Sequence, residues 1–434
     1  MKTKGLIGLA GLMVFGFIYA ININPGPDRI TSRTLKPEKG CVFMTVMGEQ
    51  PSEGFSQYKT PENVSLGIRD GLSWLSDAQL PNGGYGAGSH QAQYIRDPHA
   101  VKADPATTAM VGMAFLRSGT TLQSGKYADN LKKVINHLLE ITELASSSKS
   151  PFLTTERNTQ IQTKLGQNID AVVTAQFFSS LLDRNLKGLD KMRIQRCLDI
   201  CVAYIEQATD ASGKQKGAGW AGVLQSGMAN SALEAAQAAG VAVDTAVLKR
   251  SRDYQKGNYD EETDEIKADD GAGIVLYSVS GSVRASAKEA RKAKQAVEEA
   301  KTSGLLDQKA EVNAQNLQKI GYRKDKAAEY ATAYKVYESA KKTAQREDVL
   351  SGFGNNGGEE FLSYLQTGES MVVNQDNDWK SWYDDMSGRI LKIQNTDGSW
   401  NGHHCITSPV FCTATSVLLL SVENDIAYLK KLGD

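Results

Sequence analysis

The sequence lacks an excess of charge of either sign. It has 49 Lys and Arg against 50 Asp and Glu, a formal net charge of -1 over 434 residues. Nucleic-acid-binding proteins normally carry a clear basic excess, so the composition argues against that class and predicts no nucleic-acid partner. The Gly-rich stretches do not follow a predicted strand, which argues against a phosphate-binding loop.

Cysteine is sparse, with five residues in the chain. Cys197 and Cys201 are four residues apart on one face of a predicted helix, a spacing too tight for a disulfide. Cys405 and Cys412 flank a Ser-Pro pair and are able to form a disulfide in an oxidising compartment. The alternative is that all five cysteines are small buried apolar residues. No lipobox precedes Cys41, which argues against a lipoprotein.

The N-terminus resembles a targeting segment. Lys2 and Lys4 precede an uncharged apolar stretch over residues 5–23, which a Pro-Gly-Pro sequence ends. This pattern predicts a cleaved export signal, and its length fits an uncleaved membrane anchor equally well. A buried helix of the domain is the third alternative. As an export signal or an anchor, residues 1–23 would contact the membrane, residues 24–60 would form a linker, and the protein body would lie outside the cytoplasm.

Two short segments far apart in the chain repeat one pattern. Gln79 begins Gln-Leu-Pro-Asn-Gly-Gly-Tyr, and Gln394 begins Gln-Asn-Thr-Asp-Gly-Ser-Trp. Each follows one apolar helical run and leads into another, as expected when a supersecondary unit is copied and stacked. In the middle unit we expect Gln207 to take the role of Gln79. The predicted structural turns contain Gln79, Gly83, Tyr85, Trp220, Gln394, Gly398 and Trp400.

Amphipathic helices alternate with helices that are poor in charge and rich in small residues. Val64, Ile68, Leu72 and Leu75 follow helical spacing, whereas residues 226–239 are largely Ala, Gly, Ser and Met. Small side chains suit helices crowded around an axis, and amphipathic helices suit an outer layer. The pattern therefore predicts an all-α fold with two concentric rings of helices.

Residues 285–348 interrupt this alternation. They are dense in Ala, Lys and Glu and contain no proline, which predicts a long helical hairpin standing off the main body. Its tyrosines favour a docking arm for a protein partner, and a solvated insertion is the alternative. The ring would then occupy residues 61–284 and 349–434. The tyrosines are Tyr322, Tyr330, Tyr334 and Tyr337.

The repeated turns resemble the glutamine-tryptophan repeats of the terpenoid cyclase and protein prenyltransferase superfamily, especially prenyltransferase/squalene-oxidase-repeat proteins. The resemblance covers residues 62–282 and 352–434. It implies an α/α toroid, in which inner and outer rings of helices surround a central cavity. The segment at 285–348 has no counterpart in that pattern.

The resemblance also suggests a catalytic candidate. Squalene cyclases open an inner helix with Asp-x-Asp-Asp-Thr-Ala, whose middle Asp donates a proton. The similar segment here is Asp-Pro-Ala-Thr-Thr-Ala, beginning at Asp104. Ala106 stands at the position of the proton donor, so Asp104 is the remaining candidate. The alternative role for Asp104 is the N-cap of a helix.

A second candidate site follows from the prenyltransferases, which bind zinc through an Asp, a Cys and a His. The segment similar to their Tyr-His-Thr is Phe-Cys-Thr, so Cys412 occupies the place of the ligand His. His403, His404 and Cys405 lie just upstream, and His and Cys side chains are good zinc ligands. These four residues are candidate zinc ligands. A Cys405–Cys412 disulfide or a satisfied turn is the alternative.

Two functions follow from these features. The missing proton donor favours a binding or scaffold module, exported or tethered to the membrane, that captures a protein through the arm or at the cavity mouth. The alternative is a divergent enzyme that acts on an isoprenoid or other lipid through the His/Cys site. That enzyme needs an aromatic-lined cavity, and aromatic residues are only 7% of the chain.

Overall fold

The computed structural model describes residues 60–268 and 271–434. The predicted targeting segment at 1–23, Cys41 and nearly all of the predicted linker lie outside the described residues. Within the described ranges, α-helices account for nearly all regular structure. The prediction of an all-α fold is confirmed.

The helices and strands are α1 (Glu62–Asp77), α2 (Pro105–Arg117), α3 (Ala128–Ser147), α4 (Gln160–Lys164), α5 (Ile169–Arg184), α6 (Lys191–Ala208), α7 (Gly222–Ala238), α8 (Thr245–Lys256), β1 (Tyr259–Asp260), β2 (Glu265–Ile266), α9 (Val275–Thr302), α10 (Ala314–Lys319), α11 (Lys324–Thr343), α12 (Glu347–Leu350), α13 (Gly358–Asn374), α14 (Trp379–Lys392), α15 (Pro409–Leu420) and α16 (Ile426–Gly433). Short 3-10 helices cover His90–Ala92, Pro98–Ala100 and Val422–Asp425. The two strands form one antiparallel ribbon.

Six helices form a closed inner ring. α2, α5, α7, α9, α13 and α15 pack in that order, each against the next, and α15 packs back against α2. Most residues of α2, α7, α13 and α15 are buried, which explains why these segments contain little charge. An outer helix precedes each inner helix in the chain: α1, α3, α6, α8, α11 and α14.

The outer helices pack on the inner ring through one apolar face. α3 packs on α2, α6 on α5, α8 on α7 and α9, α11 on α9, α14 on α13 and α15, and α1 on α15. In α1 this face consists of Val64, Leu72 and Leu75, with Gly67 and Gly71 where neighbouring groups approach closely. Residues 60–268 and 271–434 therefore form an α/α toroid with six helix pairs, and the predicted toroid is confirmed.

The predicted hairpin at 285–348 continues directly from the ring. Its predicted boundary lies inside α9, which runs unbroken from Val275 to Thr302. α11 packs along α9 as the fifth outer helix, with Tyr337 in the main core cluster. The distal parts of this segment share a second apolar cluster around Val297 and Leu317. A protein partner for this segment, and the division of the chain into domains, stay predictions.

The first and last repeated turns are structurally equivalent. Nε2 of Gln79 donates to the carbonyl oxygens of Gly83 at 2.9 Å and Asn130 at 3.0 Å. Nε2 of Gln394 donates to those of Gly398 at 2.9 Å and Gly67 at 3.0 Å. Each glutamine thus joins its own turn to the backbone of a neighbouring outer helix.

The aromatic residues of these two turns are also equivalent. The N–H of Tyr85 donates to Oγ1 of Thr108 at 2.9 Å, and the N–H of Trp400 donates to Oγ1 of Thr413 at 2.8 Å. Both threonines lie in the inner helix that follows the turn. The turn glycines have φ of +83° and +90°, a conformation that L side chains adopt only with strain.

A third turn repeats this geometry, but Trp220 and Gln207 are not part of it. Gly213 has φ of +94°, and the N–H of Gln215, two residues on, donates to Oγ of Ser226 at 3.1 Å. Gln215 therefore stands at the aromatic position, and the glutamine position is a threonine. Trp220 lies in the loop before α7, and Gln207 is exposed. The sequence analysis placed this turn by its aromatic residue, Trp220, whereas the glycine with positive φ, Gly213, marks its position in the structure.

Among the described residues, no single helix is long and apolar enough to cross a membrane. The consecutive segments Pro409–Leu420 and Val422–Gly433 meet at a bend of 68°. Taken together, they have the length and apolar composition of a membrane span, and no other feature of the described residues supports that role.

Candidate functional site

The inner helices meet at their N-termini at one end of the toroid. A backbone N–H in the first turn of α2 donates to Oδ1 of Asp170, at the start of α5, at 3.1 Å. The hydroxyl of Tyr277 in α9 donates to Oε1 of Glu360 in α13 at 2.6 Å. The N–H of Ile406, just before α15, donates to Oε2 of Glu359 at 3.2 Å. Helix N-termini stabilise negative charge, which explains the acidic residues at this end.

Asp104, the catalytic candidate, is the N-cap of α2. Its carboxylate accepts hydrogen bonds from the N–H of Thr107 at 2.8 Å, the hydroxyl of Thr107 at 2.9 Å and the N–H of Ala87 at 2.8 Å. The residue is 1% exposed. Burial, and then the neighbouring Asp170, raise the pKa of Asp104 to about 7. Both oxygens are occupied inside the protein, so the capping role accounts for this residue and its geometry gives no support to a catalytic one.

The structure brings together two of the four candidate zinc ligands and adds a third residue. A nitrogen of His404, Sγ of Cys405 and a carboxylate oxygen of Glu359 lie within 4.8 Å of one another. Cys412 is buried in α15, where its thiol donates to the carbonyl oxygen of Ile406 at 3.6 Å. His403 is exposed. Cys405 and Cys412 are both free thiols, so the alternative disulfide is not formed.

Glu359 and Glu360 are adjacent buried carboxyl groups in the first turn of α13. Glu360 accepts hydrogen bonds from the hydroxyl of Tyr277 and from the N–H groups of Gly357 at 2.8 Å and Phe353 at 3.2 Å. Oε1 of Glu359, by contrast, is buried without a hydrogen-bond partner among the described residues. Burial, and then the charge of Glu360, raise the pKa of Glu359 to about 8.

One ring nitrogen of His404 forms a hydrogen bond, and the other has no hydrogen-bond partner among the described residues. Nε2 lies 2.7 Å from the carbonyl oxygen of Asn355 and 3.5 Å from Oε2 of Glu360. We assign the proton to Nε2 because both neighbours are acceptors, which leaves a lone pair on Nδ1. Nδ1 is buried and has no hydrogen-bond partner among the described residues. The adjacent Cys405 has φ of +54°, and burial raises its pKa to about 12.

Aromatic rings cover this cluster. The ring of Trp220 lies edge-on to those of Tyr277 at 6.2 Å and Phe353 at 5.6 Å, and the ring of Phe353 lies 5.1 Å from that of His404. Nζ of Lys164 lies 5.1 Å from the Trp220 ring centroid. We call Trp220, Phe353, His404 and Lys164 the aromatic surface.

Tyr94 is a further exposed ring near this end. Its loop is held to the segment before α15, because the hydroxyl of Thr407 donates to the carbonyl oxygen of Gln93 at 2.7 Å and Arg96 donates to that of Thr407. Tyr94 is 80% exposed and Phe353 is 56% exposed. In the described part of the chain, the strongly exposed aromatic side chains therefore lie at the N-terminal end of the ring.

Two surface cavities lie away from the ring axis. One of about 260 Å³ lies between β2, α9 and α12, and one of about 240 Å³ lies between α12 and α14. The inner helices carry buried polar side chains in which one or more atoms have no hydrogen-bond partner within residues 60–268 and 271–434: Thr174, Gln225, Asn230, Gln366, Thr367 and Ser416. These polar interior groups do not suit an isoprenoid chain, which needs an enclosed apolar cavity.

Sequence reasoning missed Glu359 and misassigned Trp220. Two adjacent acids at a helix start are a common solvated or capping pattern. A usable signal is that Glu359 opens an inner helix, where the ring buries nearly every side chain. Trp220 likewise directly precedes an inner helix, and position relative to these helices predicts the site better than residue type.

No family model matches this chain, and no curated protein matches its sequence. One similar solved structure is an inactive variant of the α-1,6-mannanase GH76A of Salegentibacter sp. HEL1_6, in complex with α-1,6-mannotriose. The identity is 10% and the TM-score 0.48, covering 84% of this chain and 99% of that chain. At this level of similarity, the comparison does not transfer an activity or a site.

The comparison corrects the family resemblance. The similar structure named above is an α-1,6-mannanase, not a terpenoid cyclase or prenyltransferase. The predicted membership of that superfamily is wrong, and so are the two functions drawn from it, the cyclase-like scaffold and the lipid-acting enzyme. The physical reason lies in the turns. A glutamine that binds two backbone carbonyls is a general way to join a turn to a neighbouring outer helix, so it indicates architecture rather than chemistry.

Proposed function

We propose that the protein binds and acts on a carbohydrate at the end of the ring where the N-termini of the inner helices meet. The observation that carries this proposal is the partly exposed aromatic surface next to the buried Glu359 and Glu360. A pyranose ring has apolar C–H faces that pack on aromatic rings. Its hydroxyl groups both donate and accept hydrogen bonds, and carboxylates and an ammonium group complement them.

The charged groups among the rings favour a sugar over an apolar ligand. Lys164 lies against Trp220, and His404 lies against Phe353. An apolar ligand covering these groups would remove them from water without replacing their hydrogen bonds, which costs free energy. Sugar hydroxyls replace those bonds.

We also propose that the protein works outside the cytoplasm. The basic residues Lys2 and Lys4 and the apolar stretch at 5–23 support export, either with cleavage or with retention as a membrane anchor. Extracellular polysaccharides are a substrate class that an exported enzyme reaches.

The test is a binding and hydrolysis screen with Trp220→Ala. Purified protein is assayed against neutral and acidic polysaccharides by affinity electrophoresis, and then against the best ligand by calorimetry and release of reducing ends. We expect Trp220→Ala to weaken binding by about tenfold or more, which corresponds to about 1.4 kcal/mol. Met192→Ala is the control, because Met192 is 74% exposed on the first turn of α6, away from the aromatic surface.

Two results would overturn the proposal. One is a folded wild-type protein that binds no polysaccharide in a panel of mannans, glucans, galactans and uronic-acid polymers. The other is binding that Trp220→Ala and Met192→Ala reduce equally. Circular dichroism of each variant separates a lost contact from a lost fold.

A further inference from the structure

We propose that Glu359, His404 and Cys405 bind a zinc ion, which the proposed carbohydrate site does not by itself require. Their donor atoms lie within 4.8 Å of one another. Two donors on one tetrahedral zinc, at the usual bond lengths, lie about 3.5 Å apart. Side-chain movements of about an ångström therefore bring all three onto a single ion.

Two of the three side chains, Glu359 and His404, each have one buried polar atom that no hydrogen bond uses within the described ranges. Oε1 of Glu359 and Nδ1 of His404 have no hydrogen-bond partner among the described residues. Glu359 itself is 0% exposed. A buried polar atom without a partner is costly, and native structures contain few of them. A cation that Glu359 and His404 bind through these two atoms would satisfy both.

The second polar atom of His404 and of Glu359 forms a hydrogen bond with the backbone, as is usual for side chains that bind a metal. Nε2 of His404 is 2.7 Å from the carbonyl oxygen of Asn355, and a ligating histidine commonly donates its other N–H to such an oxygen. Oε2 of Glu359 accepts from the N–H of Ile406 at 3.2 Å. These contacts orient both ligands while leaving Nδ1 and Oε1 available.

The mixture of donors selects the metal. One thiolate, one imidazole and one carboxylate suit zinc, whereas magnesium and calcium prefer oxygen ligands. Binding through a thiolate and a carboxylate releases the protons of Cys405 and Glu359 to the solvent, and the charge of Lys164 favours the deprotonated form of both groups. Three protein ligands leave a fourth position for water or substrate, where zinc supplies Lewis-acid chemistry.

The proposal is tested by zinc content and by cobalt substitution. Protein purified without added metal is analysed by plasma mass spectrometry, and zinc affinity is measured by competition with a chromophoric chelator. We expect about one zinc per chain in the wild type. We expect His404→Gln, Cys405→Ser and Glu359→Gln each to weaken zinc binding by about 10- to 100-fold or more. His403→Gln is the matched control, because His403 is the exposed neighbour outside the cluster, and it should bind zinc as the wild type does.

Cobalt gives a readout that does not depend on activity. Cobalt bound to a thiolate has a sulfur charge-transfer band in the near ultraviolet, and Cys405→Ser should lose this band. The proposal is overturned if the folded wild type binds no zinc at micromolar concentration. It is equally overturned if His403→Gln loses as much zinc as His404→Gln. Polysaccharide binding by chelator-treated protein is scored separately, so failure of the metal site and failure of the carbohydrate site are distinguishable.

Discussion

Single acidic residues at the N-terminal end of the ring differ in what their carboxylate oxygens contact. Asp104 and Asp170 accept hydrogen bonds from backbone and side-chain donors, and burial is the first cause that raises their pKa values, to about 7 and about 6. Glu359 is equally buried but keeps one oxygen without a partner. Hydrogen bonds within the fold therefore occupy the first two carboxyls, and the third has one oxygen available for a ligand.

Asp104→Asn should change how stability depends on pH. Folding raises the pKa of Asp104 from 3.8 to about 7, so the folded protein binds this proton more tightly than the unfolded chain does. The resulting stabilisation is complete below about pH 4 and is lost as the pH rises through about 7. Asn is still a good N-cap but does not titrate. Urea unfolding between pH 4 and pH 7 should therefore show a smaller loss of unfolding free energy in the variant. Equal slopes for the two proteins would contradict the assignment.

The candidate site could be predicted only in part from residue types. His404 and Cys405 were found because soft ligands are rare in this chain and cluster before α15. His403 and Cys412 belong to the same sequence cluster, yet one is exposed and the other lies buried in α15. A local sequence pattern does not give side-chain direction, and it does not reveal that α13 brings Glu359 to the same place.

The inner helices need small residues where their neighbours come close. A Cβ atom on Gly112 in α2 would lie 2.6 Å from the ring of Phe177 and 2.8 Å from Cγ1 of Val134. Gly388 in α14 is also helical, but a Cβ atom there meets nothing within 4 Å. Replacing each of these two glycines with alanine therefore distinguishes the effect of packing on stability from the effect of intrinsic helix propensity.

Gly112→Ala and Gly388→Ala should therefore change stability in opposite directions. Alanine is favoured over glycine by up to about 1 kcal/mol in a helix interior, so Gly388→Ala should raise the free energy of unfolding by about 0.5–1 kcal/mol. Overpacking typically costs about 1–3 kcal/mol, so Gly112→Ala should lower it. Chemical denaturation of both variants measures the effect. Stabilisation by Gly112→Ala would mean that α2, α3 and α5 do not pack as closely as described.

The boundary at 285 illustrates what sequence patterns leave undetermined at the scale of an element. Ala, Lys and Glu favour a helix whether it belongs to the ring or projects from it. The alternation between inner and outer helices correctly predicted two layers. It did not predict that α9 belongs to the ring and also continues beyond it. Whether a given part of α9 lies in the ring depends on which residues pack against that part.

The whole molecule is a ring closed by contacts between the two ends of the described chain. α15 packs against both α1 and α2, and Arg117 in α2 pairs with Asp425 at 2.6 Å and with Glu369 in α13 at 2.6 Å. The repeated turns predicted this closure correctly because equivalent turns require equivalent helix pairs. They failed to predict the family because every double ring of helices needs similar turns between its outer and inner helices.

Replacing the corner glutamines tests whether the ring unfolds as one unit. Gln79→Ala and Gln394→Ala each remove two partly buried hydrogen bonds to backbone carbonyls, and Gln79→Ala also removes the bond that Oε1 accepts from Asn130. We therefore expect each variant to lower the free energy of unfolding by about 1–3 kcal/mol. Gln207→Ala, at an exposed glutamine outside the turn geometry, should change it by less than about 0.5 kcal/mol. Because Gln394 joins the last helix pair to α1, a closed cooperative ring predicts a single transition with an unchanged dependence on denaturant in both corner variants. A second transition in Gln394→Ala alone would instead mean that the first and last pairs separate before the rest of the ring unfolds.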